Sequence, residues 1–214
     1  MEALTLPDRD TLKTHAHGER RETILDSAIT EFSEVGFAGA TMRRIGERAR
    51  VNHQLIVHHF QNMDGLWRAA MRQIASEAQA ISEAQLNTVT SEDSVTRLIA
   101  FVDSIVLFAA QRPEAYRIMI IETASRSDRF TWFVDAHIRE LFNQFQISLE
   151  DAQQSGQASP GDAWSLYYAM IGVATSRFTL ANENALLGGP DPFHENSVEV
   201  TRRLCRRVLG IPNP

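Results

Sequence analysis

From Arg20 onward, apolar side chains recur at spacings of three and four. Ile24, Ala28, Phe32 and Val35, flanked by Leu25 and Ile29, predict an amphipathic helix that stops at Gly36. Thr41 is a good N-cap for a second helix that turns Met42, Ile45 and Ala49 inward, because its hydroxyl can accept an orphaned first-turn N–H. Asn52 opens a short third helix with Leu55, Ile56 and Phe60. Asn62 opens a fourth, with Asp64 in the first turn where the helix dipole favours a carboxylate. That fourth pattern, Leu66, Trp67, Ala70, Met71, Ile74 and Ile81, is long enough to leave the first module and join it to the rest.

The remainder also reads as helix. Ser91 is placed to cap a segment with Val95, Leu98, Val102, Ile105, Val106 and Phe108, ended at Arg112-Pro113. Pro113 suits the first turn of the next helix, Glu114 to Ser125, where its missing N–H costs nothing. One long helical stretch covers 128–153, another runs from Asp162 to Leu187, and a last one from Ser197 to Leu209. Gly188-Gly189-Pro190-Asp191-Pro192 breaks the chain before that last helix. There is no alternating β-branched run, no Asn-Gly hairpin and no internal repeat, so the predicted fold class is all-α. Three parts are expected: a flexible arm over 1–18, a helix-turn-helix domain over 19–66 and a larger helical domain over 67–214.

Composition narrows the class. With 43% hydrophobic and 22% charged residues, a chain of 214 is outside the disordered and membrane ranges. No run approaches the ~18 uncharged apolar residues of a membrane span, and the N-terminus has early acidic residues without an apolar stretch, so cytoplasm is the expected compartment and no membrane partner is expected. The single cysteine, Cys205, excludes an intramolecular disulfide. It sits among Arg202, Arg203, Arg206 and Arg207, a setting that lowers a thiol pKa if exposed; a packed, inert thiol is the plainer reading. The arginines themselves read as a basic strip best explained by dipole pairing and solubility.

Net charge is −6, which argues against a nucleic-acid platform spread over the whole surface. The distribution is more informative. Residues 19–68 are neutral overall, yet Glu19, Glu22, Asp26, Glu31 and Glu34 come first, and 41–60 then holds Arg43, Arg44, Arg48 and Arg50 against Glu47 alone. Such segregation is what anion recognition by a small module requires.

Two helices joined by the turn Arg50-Val51-Asn52 form a helix-turn-helix pattern. The second helix hides Val51, Ile56 and Phe60, leaving a face that can enter a major groove. His53, Gln54 and Leu55 stand at its start, where such a helix first meets base edges. Thr41, Arg43, Arg44 and the backbone N–H groups at both helix starts can hold phosphates.

The run Gly36-Phe37-Ala38-Gly39-Ala40-Thr41-Met42-Arg43-Arg44-Ile45, followed by Ala49, Val51-Asn52, Ile56, His58, Phe60 and Asp64-Gly65-Leu66-Trp67, resembles the DNA-binding domain of the tetracycline-repressor (TetR) family over about residues 19–70. The resemblance implies a homodimeric regulator of double-stranded DNA. Its helical C-terminal domain would bind an unknown small-molecule effector and dimerise through the last two helices. It implies DNA contacts by Thr41, Arg43, Arg44, Asn52, His53, Gln54, Leu55 and His58, on a palindromic operator, most often as a repressor.

The chain departs from the family pattern at four positions. Arg50 stands where the turn usually has glycine, which costs roughly 1–2 kcal/mol if the left-handed conformation is kept. Val57 replaces a tyrosine and Met63 a lysine, removing phosphate contacts worth roughly one to two counterions in the salt dependence. Gly46, where alanine is usual, predicts a very close helix crossing.

No cofactor is expected. His53, His58 and His59 lack the spacing of four that puts two ligands on one helix face, so they predict no metal site. Phe101, Phe108, Trp132, Phe133, His137, Trp164 and Tyr168 are candidates for an effector pocket, with Arg97 and Arg117 beside them; core packing is the competing reading. No nucleophilic triad or glycine-rich phosphate loop can be assembled, so the chain is not expected to be an enzyme. A helical small-molecule-binding protein or enzyme is the alternative, supported only by these aromatics.

Overall fold

The computed structural model describes residues 9–88 and 93–213, with side chains from Glu19 onward. Every regular element among the described residues is helical. They form two compact units divided between Met71 and Arg72.

In the first unit α1 (Arg9–Gly39) carries the predicted stripe, α2 (Met42–Ala49) packs on it, and α3 (His53–Phe60) packs on α2. Gly36, at φ 68 and ψ 177, breaks the helical path of α1 where the sequence placed its stop. Where an arm over 1–18 was expected, the backbone is already helical from Arg9. No terminator stands between Pro7 and Gly18, and once the later turns are packed a helix extends backward at little cost. Residues 1–8 of that expected arm lie outside the described residues.

Ile24, Leu25, Ala28, Ile29, Phe32, Ile45, Ile56, Leu66 and Trp67 are all buried in this unit, with almost no exposure. Each large aliphatic or aromatic one contributes roughly 1.5–3 kcal/mol by leaving water. The fourth helix, α4 (Met63–Asn87), supplies Ala70 and Met71 to the same unit, so its first turns belong there, past the boundary expected at residue 66.

The second unit is built around α5 (Ser94–Gln111), which touches α8 (Arg139–Gln154), α9 (Ala163–Thr179), α11 (Glu195–Leu209) and α6 (Pro113–Ser125). Leu98, Val102, Val106, Phe145, Leu149, Met170 and Phe178 fill the space between them. By length and composition α5 could cross a bilayer, but it carries Arg97 and Asp103 and half of it is buried as the core helix. Its cap is Asp93, whose carboxylate accepts the Thr96 N–H at 3.0 Å; the expected cap Ser91 lies outside the described residues.

Two expected helices are subdivided. The 128–153 stretch is α7 (Asp128–Phe133), a π-helical segment Val134–Ile138 and α8. The stretch from Asp162 breaks at Leu180 (φ −101, ψ 26) into α9 and the short α10 (Ala181–Leu186). The last helix begins two residues early, at Glu195, because His194 caps it through Nδ1.

Of the four arginines of α11, Arg203 and Arg207 are exposed, but Arg206 is not part of a solvated strip. Arg206 is 4% exposed and grips both Asp103 oxygens of α5 at 2.6 and 2.7 Å. Arg202 and Arg203 pair with Glu199 at 3.5 and 3.3 Å. Burial beside Asp103 pushes the Cys205 thiol up to about 12, so the packed reading of that cysteine is the one realised.

Candidate nucleic-acid interface

The corner between α2 and α3 is shaped by three local devices. Thr41 Oγ1 accepts the Arg44 N–H at 3.2 Å, which starts α2 and leaves the hydroxyl proton free to donate elsewhere. At the end of α2, Arg50 N–H donates to the Glu47 carbonyl (3.3 Å) and Val51 N–H to that of Gly46 (2.9 Å). This paired closure needs a left-handed residue, and Arg50 supplies it at φ 55 and ψ 40. Asn52 Oδ1 then accepts the Gln54 N–H at 2.9 Å and starts α3, with its amide protons still available.

Gly46 lets the two helices approach. A Cβ there would lie 2.8 Å from the Val51 carbonyl oxygen and 3.6 Å from Ile56 Cδ1, confirming the close crossing. After α3 the chain turns within one residue: Asn62 N–H donates to the Phe60 carbonyl at 2.8 Å around Gln61, at φ 66. Asn62 Oδ1 accepts the Gly65 N–H at 2.8 Å and starts α4.

These constraints give α3 two faces. Ile56 and Phe60 are buried; His53, Gln54, Val57 and His58 are exposed, and Val51, Leu55 and His59 are half-buried. Of the residues expected to meet DNA, Thr41, Arg43, Asn52, His53, Gln54 and His58 are thus open to solvent on this corner, while Leu55 turns partly toward the core. An open depression of about 380 Å3 is lined by Arg43, Gly46, Glu47, Arg50, Asn52 and His53.

Arg44 has a second role that the sequence reading missed. Its Nε stands 2.9 Å from Oε1 of Glu31, which is 1% exposed on α1, without hydrogen-bond alignment. Arg48 approaches the other Glu31 oxygen at 3.4 Å and Glu34 at 2.5 Å. The signal was present, since Glu31 falls three residues after Ala28 and seven after Ile24, on the apolar stripe itself. Arg21 also stacks on Phe60, with 5.5 Å from guanidinium carbon to ring centre.

The seven pocket candidates do not gather at one place. Trp132, Phe133 and His137 cluster around the π-helical segment, with centroid distances of 5.8 Å and 5.1 Å from His137 to the two rings. Arg72 lies over Trp132 at 5.2 Å. Desolvation, then the Arg72 charge, lowers the His137 pKa. Phe101 packs on Phe145 and Phe108 on Tyr116, both in the core. Trp164 and Tyr168 stand four residues apart on α9 and are mostly exposed, although Trp164 stacks on Phe142 at 4.0 Å.

A three-helix unit that offers a short polar helix face beside a cationic turn has the arrangement of a helix-turn-helix domain. Residues 24–70 match the family described as "Bacterial regulatory proteins, tetR family". It is 31% identical over 84 residues to the HTH-type transcriptional regulator BetI of Cronobacter sakazakii (strain ATCC BAA-894) and 33% identical over 84 to BetI of Escherichia coli O17:K52:H18. The match to the first covers 39% of this chain and 42% of that protein's length.

Solved structures share the fold. A tetR-family regulatory protein from Rhodococcus RHA1 aligns at TM-score 0.70 and 19% identity over 91% of this chain and 98% of its own. AibR, solved with isovaleryl coenzyme A and operator DNA, aligns at TM-score 0.71 and 17% identity over 90% and 100%.

Proposed function

We propose that the protein is a ligand-responsive transcriptional regulator, acting as a repressor, that binds a palindromic operator in double-stranded DNA as a homodimer. The observation that carries this reading is the two-faced α3: Ile56 and Phe60 anchor it while His53, Gln54 and His58 stand free on one side. Gln54 offers the paired donor and acceptor that match adenine, and the histidines donate to guanine or phosphate. Val57, 43% exposed between them, suits a thymine methyl. Thr41 holds a phosphate beside that groove, Arg43 reaches a base edge, and Asn52 contributes its free amide protons.

Dimerisation through α9 and α11 is supported by two apolar stripes at helical spacing, Trp164 with Tyr168 and Val200 with Leu204, all exposed. Two-fold symmetry then implies two half-sites about one DNA turn apart, or a multiple of it. The effector is a small molecule held in the second unit near Trp132, Phe133 and His137. Binding there shifts α4, whose residues 63–71 belong to the first unit, and moves the population away from the DNA-competent dimer.

A mobility shift with DNA flanking the protein's own gene tests the reading. A retarded complex that random DNA competes away poorly supports it. Absence of binding at low salt, together with turnover of any small molecule, reverses it in favour of a helical enzyme.

A further inference from the structure

Arg50 strains the backbone without an internal contact that offsets the strain. The closure of α2 demands a left-handed residue at this point; glycine adopts that conformation without a Cβ conflict, asparagine tolerates it, and arginine does neither well. The other cations of the corner have partners: Arg44 and Arg48 hold Glu31 and Glu34, and Arg43 has Glu47 at 3.9 Å. The Arg50 side chain is exposed, and among the described residues no hydrogen bond or ion pair ties it down. It lines the open depression with Arg43, Asn52 and His53, at the first turn of the reading helix.

Two of the corner's four arginines are therefore neutralised within the fold, and the most strained one is the freest. We infer that Arg50 is a DNA-contacting residue, its guanidinium clamping a backbone phosphate beside the bases that α3 reads. It supplies a mobile cation at the start of α3, whose exposed Val57 carries no donor. The inference rests on the DNA-binding reading above and adds a residue to it.

The test uses the full-length protein and a duplex that the wild type selects from a random-sequence pool. Affinity is measured between about 50 and 200 mM salt for Arg50→Asn, Arg50→Lys and Arg126→Asn. Arg126, at φ 48 after α6 in the second unit, is the control for relief of the same backbone strain. Arg50→Asn should bind about five- to tenfold more weakly and flatten the slope of log affinity against log salt by about 0.9, with an unchanged or higher Tm. Arg50→Lys should keep the slope, and Arg126→Asn should match the wild type on DNA.

Wild-type affinity and slope in Arg50→Asn overturn the inference while the DNA-binding reading stands. A loss seen only on the selected duplex, with the slope unchanged, overturns the phosphate assignment in favour of a base contact. If the wild type selects no duplex, the DNA-binding reading fails first and the role of Arg50 falls with it.

Discussion

Glu31 and Arg44 stand 2.9 Å apart, the carboxylate sealed in the core of the first unit and the guanidinium half in solvent. With Arg48 on its other oxygen, Glu31 ties α2 to α1 electrostatically. Removing a buried charge from such a cluster leaves its partners unmatched. Glu31→Ala should lower stability by about 2–3 kcal/mol, read from urea unfolding. A change within a few tenths of a kcal/mol would show that α2 is held by its apolar face alone.

Arg44 therefore differs from Arg43. Arg43→Ala and Gln54→Ala should each cost about 1–3 kcal/mol in binding to a selected operator and far less on random DNA, leaving Tm nearly unchanged. Arg44→Ala should instead lower Tm and weaken binding to both duplexes by the same factor. Identical behaviour of Arg43→Ala and Arg44→Ala would contradict this division.

The two close approaches should differ in severity. Gly46→Ala gains about 1 kcal/mol of helix propensity, but its Cβ meets the Val51 carbonyl at 2.8 Å, so a net loss of about 1–2 kcal/mol is expected. Gly65→Ala puts a Cβ 2.2 Å from the Phe60 carbonyl and should cost more. Thermal melts of both variants check the order.

His137 makes the second unit sensitive to acid. Its folded pKa lies below the usual 6.5, so the unfolded chain takes the proton first and stability falls as pH drops below about 6.5, until the folded pKa is passed. Tm followed from pH 8 to 5 should fall less steeply in His137→Phe than in the wild type. Parallel curves would remove His137 as the cause.

Light scattering should give a particle of about twice 24.1 kDa. Leu204→Glu, which puts a charge into the exposed stripe of α11, should halve the mass while preserving the helical circular dichroism. A wild-type mass of 24.1 kDa at micromolar concentration would end the dimer proposal.

The helices were legible wherever one face was continuously apolar and a cap residue stood at the end, as at Thr41, Asn52 and Asn62. The two-faced α3 followed from the same periodicity. What escaped was set by partners distant in sequence. Glu31 falls on the apolar stripe, but nothing local marks the two arginines, 13 and 17 positions later, that pair with it. Arg206 looked solvated until Asp103 of α5 was placed beside it. The π-helical segment is invisible to a period of 3.6, because one wide turn inside a long helix leaves the apolar repeat nearly intact. The pocket candidates were chosen by residue type, which does not distinguish buried Phe101 from exposed Tyr168.

Cys205 has a practical consequence. A lone thiol that is fully enclosed and protonated at ordinary pH is silent to maleimides and methanethiosulfonates while the protein stays folded. A second cysteine placed on α3 would therefore be the single reactive site, so spin labels or fluorophores could test the spacing of the two reading heads in the proposed dimer without first engineering a cysteine-free background.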